Sequence, residues 1–565
     1  MTAVAPRVVP RPGRADPAWD RMRALPTLVA AAFAAAYVIV APPSVDLAAQ
    51  LFRAHLFGVE GFGLWDNLWY AGHDIVGYGI LFPAVASVLS PQLAAAIAAT
   101  ATAAVFEPLA RRHFGTAALP GAILFGAATA IDLYTGRLAF AFGALPALGA
   151  VAALDGGAVA PACALAALSA LCSPVAALFA GLAAGGYALG AMLDGRRGGP
   201  GDAPRSGPHD GPRDGARGGR RLAAAFPGAA VLVAAIAPIA LLAVAFPEGG
   251  VEPFAVGAMA PIVILAGLLV AIAPAEAVAL RAGAALYALA TIGAFVVPTP
   301  VGGNITRLGA LLAAPVAALE WGRRRTRAAA LAVIALLYLG WQAPVRDILT
   351  TAGDPTTTAG YYRPLLAFLE RAARSPAAPF RIEIPLTRTH WEAWEVATRF
   401  PIARGWERQL DIADNPIFYD GRLNADTYRA WLHDEAVRFI ALPDAALDAS
   451  ARREAALIRG GLPYLRLVMR SAHWRVYAVA DATPIAGGVL ALRALGPESL
   501  TLSARAAGTA IVRVHFTAYW AIGAGAGCVS AAGPFTRVTA WRAGTLTLVT
   551  RFAPGRIGAR SPRCT

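Results

Sequence analysis

The chain contains no lysine, so all 49 of its basic residues are arginine. Charge of either sign is scarce: 15% of the 565 residues are charged and 57% are hydrophobic. Mean hydropathy is +0.55. That balance excludes an ordinary soluble protein of this size and points to a multispanning membrane protein. There is no P-loop, no GxSxG elbow, no HExxH and no CxxC pair among the four cysteines. Those absences argue against a cytoplasmic nucleotide-driven machine. With so much alanine beside the arginine, the basic excess fits coding by a GC-rich bacterial genome. The net charge of +14 does not imply nucleic acid, because much of it falls where cytoplasmic loops belong. No cleavable signal peptide is evident. Residues 1–23 are polar and rich in Pro and Arg, and Leu25–Ala41 lacks a small-residue cleavage site.

What is present is a series of long apolar runs. A bilayer crossing needs roughly 17–25 apolar residues. Such runs lie near 24–41, 92–110, 117–134, 138–154, 158–172, 174–192, 222–246, 255–273, 276–297, 306–321 and 328–344. The expected fold is therefore a polytopic α-helical membrane protein of about eleven transmembrane helices. Arginine clusters set its orientation. Arg21 and Arg23, Arg111 and Arg112, the arginines of 194–221, and Arg323, Arg324, Arg325 and Arg327 all fall on one side of an eleven-span chain. The Lys/Arg bias makes that side cytoplasmic. Loops 42–90, 132–137, 247–254 and 298–305, and everything after 345, then face the exterior.

The expected organisation is a cytoplasmic tail (1–23) and a first transmembrane half (24–193) with a large external loop (42–90). A Gly/Pro/Arg-rich linker (194–221), read as disordered and cytoplasmic, joins it to a second half (222–345). After 345 the apolar runs stop. Residues 346–480 mix strand-like runs (Phe380–Ile384, Val437–Leu442, Trp474–Val479) with a helical stretch at 424–435, as in a small α/β domain. Residues 481–565 hold short alternating strands separated by turns, as in a β-sandwich. Cys528 and Cys564 lie in that exported part. An oxidising exterior favours a bridge between them that ties the tail to the sandwich, with two unpaired thiols as the alternative. Cys163 and Cys172 sit in apolar helix as small packing residues.

Polar residues with chemical potential gather in the external loops. Asp46 follows the first span by about five residues. It is either a solvated interfacial acid or a general base that takes a proton from an acceptor hydroxyl. The segment Leu64-Trp65-Asp66-Asn67-Leu68-Trp69-Tyr70-Ala71-Gly72-His73-Asp74 combines aromatic rings with acid, amide and imidazole groups. Sugar sites use such parts, and so does an interfacial aromatic belt. Asp132-Leu133-Tyr134-Thr135-Gly136-Arg137 places an acid and a cation in one turn, where Arg137 could hold a lipid phosphate. Gly302-Gly303-Asn304-Ile305-Thr306-Arg307 opens a helix with a glycine pair, an amide and a cation, a possible anion cradle. Glu248 and Glu252 share the face with less specificity. His390-Trp391-Glu392 and Arg404–Gln409 form a charged, aromatic cluster suited to packing or binding.

The pattern of an acid soon after the first helix, followed by WDNLWYAGH and GYGILFP, resembles the large-loop signature of GT-C glycosyltransferases. The segment DLYTGRLAFAFG is similar to an element of bacterial membrane proteins labelled 6-pyruvoyl-tetrahydropterin-synthase-related. The resemblance covers roughly residues 24–345. It implies an integral membrane enzyme that uses a polyprenyl-phosphate sugar donor and a glycan or glycolipid acceptor at the extracytoplasmic face of a bacterial plasma membrane. It maps the catalytic base onto Asp46. Arg137 and Arg307 would then hold the lipid phosphate, and Trp65, Trp69 and His73 would line the sugar site with Asp66, Asp74, Asp132 and Asn304. The family's paired acids are represented by one, since Val45 and Leu47 flank Asp46. That leaves a divalent metal open. The competing expectations are a transporter or lipid flippase and a non-catalytic envelope-assembly scaffold. Membrane lipids are expected partners in every case, and nucleic acid in none.

Overall fold

The computed structural model describes residues 22–194, 213–324, 326–374 and 379–565. The tail up to residue 21, the linker part 195–212 and Arg325 lie outside the described residues. The chain is mostly helical with a β-rich C-terminal region, the architecture of a membrane protein joined to a sheet domain.

Each expected apolar segment is a helix: Leu25–Val40, Pro91–Phe114, Leu119–Tyr134, Leu138–Asp155, Val159–Cys172, Pro174–Asp194, Arg213–Ala245, Val256–Ile272, Val278–Val296, Thr306–Arg324 and Arg327–Thr351. Among the described residues, six helical stretches are long and apolar enough to cross a membrane; Leu25–Val40, Val159–Cys172 and Val256–Ile272 are apolar but shorter. Residues 213–221, expected to be disordered linker, form the start of the Arg213–Ala245 helix. Alanine and glycine line the helix contacts. Lipid tails supply no hydrophobic drive between helices, so close backbone approach has to replace it. A Cβ on Gly190 would lie 2.8 Å from the Cα of Ala279. Large apolar residues such as Leu222, Phe226, Val233 and Leu241 point outward.

The 42–90 loop is itself structured. An amphipathic helix, Leu47–Glu60, buries Leu47, Ala48, Phe52 and Leu56. Strands β1 (Trp65–Asp66) and β2 (His73–Asp74) then pair antiparallel, and a short helix follows at Leu81–Leu89.

The α/β domain is built on a four-stranded sheet of β3 (Arg381–Glu383), β4 (Val437–Pro443), β5 (Leu465–Arg470) and β6 (Trp474–Val479), in the order β3-β4-β6-β5. Only β3 and β4 are parallel. The helix Ala425–Asp434 starts at Asn424, whose side chain accepts from the Asp426 and Thr427 amides in a capping box.

Two further sheets form the sandwich from β7 (Leu490–Leu495), β8 (Ser499–Ala504), β9 (Gly508–His515), β10 (Trp520–Ala524), β11 (Gly527–Ala532), β12 (Phe535–Ala540), β13 (Gly544–Thr550) and β14 (Arg563–Cys564). Their orders are β10-β13-β8-β7 and β14-β11-β12-β9. Alternate residues, including Leu500, Leu502, Val512, Val514, Val538, Leu546 and Leu548, fill the space between them. Cys528 and Cys564 sit opposite each other on β11 and β14 and are joined by a disulfide. Cys163 and Cys172 are free.

The two ends of the bundle differ. At one end Arg112 and His113 pair with Asp155 at 2.7 and 2.8 Å, and Gly322 packs on Ala117. At the other end the loops expected to face outward meet each other and the C-terminal domains.

Candidate functional site

The segment between the first helix and Asp46 is held from four directions. Its carbonyl oxygens are taken in turn: Pro43 by Thr351 Oγ1 at 2.6 Å, Ser44 by Trp391 Nε1 at 3.1 Å and Val45 by Trp406 Nε1 at 2.9 Å. The fourth contact is Gly136 of the DLYTGR turn, which lies against Ser44 and Leu47 at φ +74°. A Cβ there would come 2.7 Å from the Leu47 amide nitrogen and closer still to Ser44 Oγ. The turn therefore needs glycine twice, for its backbone conformation and for the close approach. Gly136→Ala is expected to destabilise the protein by about 1–3 kcal/mol through strain and overpacking. It should also displace Asp46, and thermal unfolding in detergent would move to lower temperature.

This packing brings the scattered candidates together. Arg137 Nε lies 3.7 Å from Asp46 Oδ2, with both side chains about a quarter exposed. Asp132 is buried, and its charge interacts with Arg137, Arg307 and Asp46. Asp132 Oδ1 and the Nε atoms of Arg137 and Arg307 have no hydrogen-bond partner among the described residues. Arg307 donates through its guanidinium to Asn304 Oδ1, which orients it, and its guanidinium carbon sits 5.5 Å from the centre of the Phe140 ring. Gly302, at φ +36°, packs on the Glu252 carbonyl, which carries the 247–254 loop onto the same spot. Burial, together with the nearby Asp46 charge, raises the Glu252 carboxyl above its ordinary range. A cavity of about 10 Å³ adjoins Asp132, between Thr102, Thr129, Ala141 and Leu311. That is room for about one water.

Beside this cluster lies a second, drier one. Arg53 on the amphipathic helix forms a buried ion pair with Glu407 of the α/β domain, and its guanidinium stands 3.6 Å from the centre of the Tyr78 ring. Tyr70 Oη donates to the Glu407 carbonyl at 2.8 Å. His73 Nδ1 is 3.9 Å from Asp66 and Nε2 is 4.0 Å from Glu407. Burial lowers His73 to about 3, so the imidazole is neutral, and raises Asp66 to about 7. Burial also raises Asp74 to about 7 and lifts Glu248, whose carboxylate accepts from the Asp74 amide, well above its ordinary range.

The aromatic residues take a different place from the one expected. Trp69 is fully buried, stacked between Phe52 at 4.2 Å and His73 at 5.8 Å, and donates to the Ala393 carbonyl. Trp65 is buried in the sandwich core and donates to Asn67 Oδ1. Neither ring has a free face on which a sugar could stack. Their role is to fasten the first loop to the C-terminal domains, and His73 and Asp66 belong to that joint. Residues that sequence reasoning passed over include Arg53, Tyr78 and Asp347, whereas Glu407 lies in the Arg404–Gln409 cluster read as suited to packing or binding. Asp347 interacts electrostatically with Asp46 and Arg137. Arg53 did leave a signal, a charge on the apolar stripe of an amphipathic helix.

Among the described residues no three His, Cys, Asp or Glu side chains are grouped to hold a metal ion. The ion-pair partner of Asp46 is the cation of Arg137. No family model matches the chain, and no curated protein matches it.

Proposed function

We propose that this protein is a membrane glycosyltransferase that moves a sugar from a polyprenyl-phosphate donor to a cell-envelope glycan or glycolipid. One observation carries the reading. Asp46, Asp132, Arg137 and Arg307 come from three distant stretches of sequence and meet at the loop-bearing end of an apolar helical bundle. The GT-C-like pattern around Asp46 and in the DLYTGR turn supports the same assignment. In this proposal the loop-bearing end is extracytoplasmic, on a bacterial plasma membrane crossed about eleven times, and the arginine-rich end is cytoplasmic.

The acceptor hydroxyl loses its proton to Asp46 as its oxygen attacks the anomeric carbon. The bond from that carbon to the phosphate oxygen breaks with inversion, and the electron pair leaves on polyprenyl phosphate. Arg137 and Arg307 neutralise that leaving group. No step is routed through a metal, because the charged groups around Asp46 do not form a carboxylate cage. The cavity of about 10 Å³ beside Asp132 is far smaller than a sugar, so the donor has to be received on the partly exposed Asp46–Arg137 side. The decisive experiment supplies purified protein with labelled polyprenyl-phosphate sugars and compares the native chain with Asp46→Asn.

The same closed packing favours one competitor, a non-catalytic scaffold that uses the loop end to seat its C-terminal domains. Absence of turnover with every donor tried, together with unchanged assembly of the envelope in Asp46→Asn cells, would select it.

A further inference from the structure

The sandwich domain has a one-sided charge that the site above does not use. Residues 499–565 contain eight arginines and no aspartate or glutamate. The last acid before them, Glu498, is occupied by the amides of Leu64 and Trp65 and by Thr550 Oγ1 at 3.1 Å. Three of the arginines, Arg551, Arg556 and Arg563, gather around Tyr519. Arg556 Nε donates to the Ala518 carbonyl at 3.4 Å, and Arg563 Nη1 to the Tyr519 carbonyl at 3.3 Å and the Arg551 carbonyl at 3.2 Å. None of the three forms an ion pair with a carboxylate among the described residues. Partial burial and the charges of Arg556 and Arg551 hold the Arg563 guanidinium below its ordinary value.

Their position gives the patch a meaning. Tyr519 Oη donates to the Ala245 carbonyl, at the last residue of the long apolar helix. Phe246 packs against Tyr519 at 5.2 Å and Phe552 at 5.9 Å. The arginine cluster is thereby fixed to the end of a helix whose outward residues Leu241 and Val244 are exposed apolar side chains. Beside the arginines, Phe552 is 49% and Ile557 39% exposed. Uncompensated guanidinium groups next to open apolar side chains, at the level where a membrane helix ends, match the chemistry of anionic lipid headgroups over acyl chains.

We propose that Arg551, Arg556 and Arg563, with Phe552 and Ile557, dock the sandwich on the anionic lipid surface of the bilayer. The docking sets the height of the C-terminal domains above the membrane and is independent of the transferase assignment.

The test is hydrogen exchange of segment 551–563 in the full-length protein, held in nanodiscs of phosphatidylcholine alone or with one third phosphatidylglycerol. Exchange is expected to be roughly tenfold slower in the anionic discs at low salt, and the difference should vanish at high salt as charge is screened. The triple variant Arg551→Gln/Arg556→Gln/Arg563→Gln should lose the difference. Arg505→Gln/Arg542→Gln, which removes charge beside the Ala504–Gly544 end of the β8–β13 pair, away from Thr550, should keep it. Equal exchange in both discs overturns the proposal. So does protection that arises only when soluble polyphosphate is added to zwitterionic discs, which would make the ligand a free polyanion. Retained protection in the triple variant overturns it as well.

Discussion

Asp46→Asn is expected to lower turnover with a polyprenyl-phosphate sugar by roughly 10²–10⁴-fold, the usual range for a positioned general base. The substitution keeps the size of the side chain and its place at the start of the Leu47–Glu60 helix, and it removes the ability to take a proton together with the charge that faces Arg137. Stability should change little, because no carbonyl or amide is bonded by the Asp46 side chain as a helix cap. The size of the effect rests on placement. Three donors from residues 351, 391 and 406 hold the carbonyls of residues 43, 44 and 45, so the carboxylate has little freedom to wander from a productive pose. Asp46→Glu should therefore also be poor, since an extra methylene moves the carboxylate by more than such a pose tolerates. KM for the donor should stay near the native value in both variants if Asp46 acts on the acceptor alone. Unchanged turnover in Asp46→Asn would remove Asp46 from the mechanism.

The sequence was most readable where one property dominates over a long stretch. Apolar runs marked the helices because a bilayer-length segment has to be uniformly apolar, and period-two alternation marked β7, β8, β9, β12 and β13. The misses have physical causes. Strands β10, β11 and β14 are short or rich in glycine and alanine, and carry almost no alternation. Trp65 and Trp69 were read as open rings because ring composition is the same in a sugar site and in a core. Only the partners decide, and the telling ones are remote: Trp69 donates to the Ala393 carbonyl across 324 positions, and Trp65 meets the Trp520 ring in the sandwich. The DLYTGR and GGNITR turns were easier, since each sets its glycine, its polar group and its arginine within six residues.

Arg404→Met is the substitution expected to cost most in stability, about 3–5 kcal/mol, because it leaves buried carboxylates without their cation. Arg404 is fully buried among three acids. It donates to Asp411 through Nε at 3.0 Å and again through Nη2, to Ser450 Oγ at 3.0 Å and to Glu454 at 3.4 Å, and it lies 3.9 Å from the centre of the Phe418 ring. Tyr428 Oη donates to Glu454 at 2.7 Å, and Tyr419 Oη donates to Asp411. Burial lifts Glu383 well above the ordinary carboxylate range, with the neighbouring Glu454 charge adding to it. Burial raises Glu454 itself to about 7 even with Arg404 beside it. Both acids hold protons in the folded chain at pH values where unfolded glutamates, near 4.5, have already released them. Their contribution to stability is therefore complete below about pH 4.5 and is lost as pH rises, for Glu454 through about 7. Without Arg404 the folded pKa values move further up, so that decline runs on to higher pH. The Met variant should be only mildly weakened at pH 5 and strongly weakened at pH 8. Proteolytic susceptibility of the 379–480 domain, measured against urea at the two pH values, tests this. A loss of the same size at both would mean that Arg404 contributes packing on Phe418 rather than charge to the three acids.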